Sequence, residues 1–347
     1  MNLRDQIFAA IRHEETGFIP YEYRIDKEPE ERLTAYYGSE DWKKKLLNPL
    51  TMSPGFFDSW DTFRYIDPND LTKRVDAYGN YWTQSREIAH LDRNAMYGME
   101  PGDYKWPELS DFYGDEQNAK MQQWADSLNG EQFSLLNLGA GHWELIWRLL
   151  GVEDALCMTI EDPDLFDDII EHLDVLLNRF FDVMLEFPAD GLYICDDWCD
   201  QRSCMFSIHT WRRHIKPRLA RLYQKTHDAG KLVFQHVCGK VDPLIPDLLE
   251  IGLDVLESVQ SEAMDVPKMK ELYGDRLTFF GGLGVQKTVQ FGTPDEIRGE
   301  IRNLRSTIGK GGGFILAPAK HLSYAVPTEN LAAIYEEFIT ENANYHG

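Results

Sequence analysis

Residues 190–201, DGLYICDDWCDQ, are followed by 231–239, KLVFQHVCG, and by 253–260, LDVLESVQ, and these three stretches decide the fold. Each is a short apolar run without polar alternation that ends on polar or glycine residues. Runs of that kind suit strands buried on both faces, as in a parallel sheet covered by helices. The segments between them, roughly 208–229 and 242–251, read as helices. Further upstream lies a strand at Phe133–Leu138. A long helix then opens at Asp162-Pro163, with an apolar stripe through Phe166, Ile169, Ile170, Leu173, Leu177, Phe180 and Met184. Proline just after a capping aspartate is a sound helix start.

Downstream come a helix near 265–273, a strand at Leu277–Phe280 and a helix at 294–308, which is opened by the capping box Thr293-Pro294-Asp295-Glu296. A strand at Gly313–Ala317 and a helix at 328–341 follow. At least five consecutive strand–helix units imply a parallel sheet. Phe133–Leu138 and Phe18–Arg24 bring the strands to seven, and an eighth is expected around 55–66. The expected fold is an α/β (β/α)8 TIM barrel with an elaborated N-terminal region. A doubly wound open sheet is the runner-up, but no strand is followed by GxGxxG or a Walker A loop. Gly309-Lys-Gly-Gly-Gly313 precedes its strand, so it reads as a tight turn and not as a phosphate loop.

Residues 1–130 are rich in Trp, Tyr, Pro and charge. They predict a helix at 2–13 and a hairpin of 71–76 with 79–84, turning at Tyr78-Gly79-Asn80. Trp82, Tyr97, Tyr104, Trp106, Tyr113 and Trp124 are candidates for a lid. The whole chain, 1–347, is expected to be one barrel domain, with 1–130 supplying early strands, hairpin and lid.

The net charge of -23 repels nucleic acid phosphates and anionic lipid, so a nucleic-acid binder is not expected. No apolar run reaches the roughly 18 residues of a membrane helix. The opening MNLRDQIFAAIRHEE is too charged for a secretory signal. Five cysteines in a chain this long do not form a disulfide framework, and a reducing, cytoplasmic compartment is expected.

In a barrel of this kind the chemistry sits at the C-terminal ends of the strands. Those ends carry Asp196, Asp197, Trp198, Gln201 and Arg202; then His236 and Cys238; then Glu257 and Gln260; then Gln286; then Lys320 and His321. Asp196 and Asp197 are adjacent, so only one of them faces the mouth. His236 and Cys238 stand two apart, so on an extended segment they point the same way. Imidazole and thiolate together suit zinc. A zinc site needs a third ligand, for which Glu257, Cys199, Cys204 and His321 are candidates. The alternative is a hydrogen-bonded core histidine beside an inert cysteine. Arg202, Lys320 and His321 supply positive charge for an anionic substrate.

These residues carry a resemblance. DGLYICDDWCDQ (190–201), WRRHIKPRL (211–219), FQHVCGKVDPLIPDLLEIGLDVLESVQ (234–260), LYGDRLTFFGGLGVQKTV (272–289), GTPDEIRGEI (292–301) and GGGFILAPAKHLSYAVPTENLAAI (311–334) resemble the uroporphyrinogen decarboxylase superfamily, in its branch of cobalamin-dependent methyltransferase-like proteins. The likeness covers roughly 190–340 closely and 140–190 more loosely. It implies a (β/α)8 barrel and a corrinoid-dependent methyltransferase assisted by zinc. A methyl group would pass between a small methylated compound (a methoxylated one, for example), a corrinoid carried by a partner protein, and a thiol or similar acceptor.

His236 and Cys238 match the first two ligands of the branch's H-x-C-(n)-C zinc site, while Ala319, Lys320 and His321 occupy the region of the distal cysteine. Asp196, Asp197, Lys320 and His321 are then the expected catalytic residues. Tyr193, Trp198, Gln201, Arg202, Gln235, Gln260 and Gln286 are the expected substrate contacts. The metal ligands are His236, Cys238 and Glu257, with Cys199 or Cys204 as alternatives to the last. Decarboxylases of the superfamily carry an arginine-rich motif near the N-terminus, whereas Phe18–Ile25 holds one arginine. A metal-free decarboxylase of a carboxylated substrate and a non-catalytic corrinoid- or tetrapyrrole-binding protein are the rival readings. A homodimer is an assembly left open.

Overall fold

The structure, a computed structural model, describes residues 1–55, 63–85 and 88–346. Its strands are β1 (Leu50–Met52), β2 (Arg64–Asp67), β3 (Asp70–Val75), β4 (Tyr81–Ser85), β5 (Ile88–Arg93), β6 (Phe133–Ala140), β7 (Gly191–Cys195), β8 (Leu232–His236), β9 (Val255–Val259), β10 (Thr278–Leu283) and β11 (Phe314–Pro318). The principal helices are α1 (Leu3–Ile11), α2 (Lys27–Tyr37), α3 (Asp115–Ser127), α4 (His142–Leu150), α5 (Val152–Glu161), α6 (Pro163–Met184), α7 (Ile208–His214), α8 (Lys216–Asp228), α9 (Ile245–Glu250), α10 (Val266–Tyr273), α11 (Thr288–Phe291), α12 (Pro294–Thr307) and α13 (Thr328–Ile339). No described helix is long and apolar enough to cross a membrane.

β1 and β6 to β11 form one parallel sheet in that order. Beyond β11 the segment 18–25 continues it without becoming a regular strand. The Leu316 N–H donates to the Pro20 carbonyl (2.8 Å) and the Glu22 N–H to the Leu316 carbonyl (2.9 Å). The sheet curls, because Leu50, Phe133, Leu135, Phe234, Val255, Phe280, Ile315 and Ala317 from its several strands form one packed interior. Helix α1 closes the end opposite the mouth. Ile7 is buried in the interior cluster, the Phe8 ring lies 5.0 Å from that of Phe133, and Arg4 pairs with Asp190 just before β7. This is the expected α/β barrel.

Local signals account for the helices. Asp162 caps α6, accepting from the Leu165 N–H (3.1 Å), with Pro163 at its first turn. Thr293 and Glu296 close the capping box of α12. The expected single helix over 208–229 is broken at Ile215, and α8 opens at Lys216 with Pro217 in its first turn, since proline inside a helix removes a donor and clashes with the preceding turn. The expected hairpin is present as β3 and β4 but lies within a four-stranded antiparallel sheet, β2-β3-β4-β5. The strand expected around 55–66 falls largely on residues 56–62, outside the described residues. β1, at 50–52, pairs with β6.

Candidate active site at the barrel mouth

Side-chain parity along the strands sets the site. Phe234 belongs to the barrel interior, so His236 projects on the same side and Gln235 on the other. His236 is paired with Cys195 of β7 and with Glu257 of β9. Its Nδ1–H donates to a Glu257 oxygen, which leaves Nε2 facing the mouth. There Nε2 lies 3.1 Å from the Cys238 sulfur and 3.7 Å from Asp197 Oδ1. Asp197 Oδ1 also accepts the Cys238 N–H at 2.6 Å. Asp197, His236 and Cys238 thus present one ligand atom each, all within 4.8 Å of one another.

Glu257 stands behind this trio. Tyr193 donates its hydroxyl to Glu257 Oε2 (2.6 Å), and the Arg24 guanidinium pairs with Oε1. Arg24 also pairs with Glu22 and lies 4.4 Å over the Phe280 ring. Burial alone raises the Glu257 carboxyl pKa, but Arg24 and then His236 outweigh it and hold the group well below the usual carboxylate range. Burial lowers the His236 pKa in turn, and the Glu257 charge more than reverses that. Lys320, although open to solvent, has its ammonium beside Cys238 and Asp197. Burial lowers its pKa, these two groups raise it, and the net shift is upward.

The remaining expected residues are placed as follows. Asp196 is fully buried and caps α4, accepting from the N–H groups of Trp143 (3.2 Å) and Glu144 (2.8 Å) and from Trp198 Nε1 (2.7 Å). It therefore leaves the mouth to Asp197, and its burial pushes its pKa up to about 7. Trp198 is buried against Trp211, so it has no face toward a ligand. Gln235 is buried outside the barrel interior, bound by the Tyr223 hydroxyl (2.9 Å). Glu257 orients His236, and its oxygens are already occupied by three donors, so it does not sit among the converging ligand atoms. Cys199 and Cys204 face each other, with sulfurs 3.1 Å apart. His321 is exposed and lies 3.1 Å from Asp26. Arg202 and Gln286 are exposed at the rim.

Gln201 and Gln260 hold the loops together. Gln260 Oε1 accepts from Gln201 Nε2 (2.9 Å) and from the Gly239 N–H (2.8 Å). Gly239 has φ +83°, and a Cβ there would fall 2.2 Å from the Asp200 carbonyl oxygen. Arg24 is the site residue that sequence reasoning missed. Its one signal is its position at the end of the first extended segment.

The uroporphyrinogen decarboxylase (URO-D) profile matches residues 122–339, more than half of the chain. The chain belongs to the uroporphyrinogen decarboxylase family. Within that family its similarities run to two kinds of enzyme. The methylcobamide:CoM methyltransferase MtaA of Methanosarcina barkeri is 26% identical over 186 residues, 54% of this chain and 52% of that protein. A uroporphyrinogen decarboxylase of Chlorobium phaeobacteroides is 22% identical over 192 residues, 54% of this chain and 53% of its own length. The chain spans about half the length of the curated relatives it matches. Among solved structures, a methyltransferase from Methanosarcina mazei matches over 100% of both chains with a TM-score of 0.71 at 17% identity, which shows the shared fold.

Proposed function

We propose that this family member is a corrinoid-dependent methyltransferase whose mouth holds zinc on Asp197, His236 and Cys238. The convergence of those three ligand atoms at the mouth carries the reading, together with the sequence similarity to MtaA. Carboxylate, imidazole and thiolate are all zinc ligands, and three protein ligands with one open position is the catalytic arrangement. The hydrogen bond from His236 Nδ1 to Glu257 is the outer support that metal-bound histidines use. Zinc held there supplies a Lewis acid that lowers the pKa of a bound thiol or polarises a leaving oxygen.

The chain's own groups do the rest. Glu257 fixes the imidazole ring and its tautomer. Arg24 balances the buried charge of Glu257. Asp197 pins the Cys238 backbone. Lys320, at the rim, attracts an anionic group on the incoming small molecule. The mouth would take the small methyl donor or thiol acceptor in the cytoplasm, and a corrinoid carried by a partner protein would supply the methyl-carrying chemistry. Arg24, the one arginine of the segment 18–25, is committed to Glu22 and Glu257 rather than turned to a substrate carboxylate, which disfavours the decarboxylase reading.

The test is metal analysis joined to an assay of methyl transfer from methylcobalamin to a small thiol. Zinc and transfer are expected in the wild type, and neither in the His236→Ala/Cys238→Ala variant. Carbon dioxide release from a carboxylated substrate without corrinoid, by a protein that binds no zinc, overturns the proposal.

A further inference from the structure

Among the described residues, the pair Cys199 and Cys204, weighed above as zinc ligands, lies outside the converging trio and has no part in the proposed function. Trp198–Met205 forms a tight antiparallel hairpin. The Met205 N–H donates to the Trp198 carbonyl (2.9 Å) and the Asp200 N–H to the Ser203 carbonyl (2.8 Å). Asp200 closes the turn, its carboxylate accepting from the N–H groups of Arg202 (2.7 Å) and Ser203 (2.8 Å). Cys199 and Cys204 are the bridge partners between those two hydrogen bonds. That makes them a non-hydrogen-bonded pair, whose Cα atoms stand about 4.5 Å apart with side chains close. This separation lies inside the range a disulfide spans, about 4.4–6.8 Å. Both thiols are free, and their sulfurs are 3.1 Å apart, about 1 Å more than an S–S bond. Cys199 is buried and Cys204 partly exposed.

We propose that Cys199 and Cys204 are a reversible dithiol–disulfide pair, a modification site for low-molecular-weight disulfides at the rim of the barrel. Cys204, as thiolate, attacks the incoming disulfide and expels one small thiolate, forming a mixed disulfide. Cys199 then attacks the Cys204 sulfur and expels the second. The two protein thiols lose two electrons and two protons. The incoming disulfide gains them and leaves as two thiols. The closed bridge braces the rim, because the Asp200 carbonyl accepts the Lys240 N–H (2.8 Å) two residues from Cys238. The site stands independently of the zinc reading.

The experiment exposes the full-length protein to oxidised glutathione, quenches it, unfolds it so that every thiol is reachable, and counts iodoacetamide labels. Untreated protein takes up five labels, one for each cysteine. Treated protein is expected to take up two fewer and to regain both after dithiothreitol. Trypsin cuts after Arg202, so the bridge joins peptides 180–202 and 203–212, and fragmentation separates Cys199 from Cys195. Cys204→Ser is expected to retain its four remaining thiols under the same treatment. Five labels after treatment, a persistent glutathione adduct on Cys204, or a bridge to Cys195 or Cys238 overturns the proposal.

Discussion

Replacing Glu257 with Gln tests the buried frame of the site most directly. The side chain is almost fully shielded from solvent and faces a cation, an imidazole N–H and a phenol. Glutamine keeps the shape but removes the charge, so Arg24 retains Glu22 alone and one amide hydrogen is turned toward a donor. Breaking one side of a buried ion pair costs about 3–5 kcal/mol. Unfolding entropy of roughly 2.1 cal/mol/K per residue over 347 residues gives about 0.7 kcal/mol/K, so a loss of about 4 kcal/mol lowers Tm by about 5–6 °C. Differential scanning calorimetry reads this shift. Arg24→Met is expected to act in the same direction, and the double variant to fall short of the sum, because removing both charges leaves neither one buried alone. An unchanged Tm for Glu257→Gln, or additivity within about 0.5 kcal/mol in the cycle, refutes the coupling. In zinc titrations the same substitution is expected to weaken affinity about 10–100-fold, the usual consequence of removing a ligand's outer support.

Three further outcomes follow from the same geometry. Zinc at about 100 times its Kd is expected to add about 2.7 kcal/mol of stability, about 4 °C in Tm, and to leave Asp197→Ala unshifted in thermal melts. Gly239→Ala is expected to lower stability in urea titration by more than about 1–2 kcal/mol, the strain of a left-handed side chain, since its Cβ also collides with Asp200. The Arg212 hydrogen bond holds the Asp247 carboxyl below the usual range, with Lys216 adding to it and burial opposing. A depressed pKa gives stability that is present above the unfolded value of about 3.9 and lost as pH falls through the folded one. The Tm gap between wild type and Asp247→Asn is therefore expected to close as the pH drops below about 4.

The barrel was legible because its determinants are local. Short apolar runs, the capping signals at Asp162 and Thr293, and the regular strand–helix rhythm lie within windows of a few residues. Of the β2–β5 sheet the β3–β4 hairpin was legible from its two runs and the turn between them, whereas β2 was missed because Arg64–Asp67 is exposed throughout, leaving no buried face to impose period-two alternation. His236 and Cys238 were legible as a pair for the same local reason. The parity that aligns them also turns Gln235 away, to the Tyr223 hydroxyl.

The sequence by itself determined the strand–helix alternation that makes the sheet parallel, the strand-end position of the polar residues and the two-apart pairing of His236 with Cys238. Tertiary structure alone decided that Asp197 and not Asp196 turns into the mouth, since the choice depends on the N-terminus of α4 claiming Asp196. It alone set Glu257 behind His236 and brought Arg24 to it across 233 positions. Strand propensity and side-chain parity are fixed by near neighbours. The partner of a buried charge is fixed by which distant strand the closing barrel lays beside it.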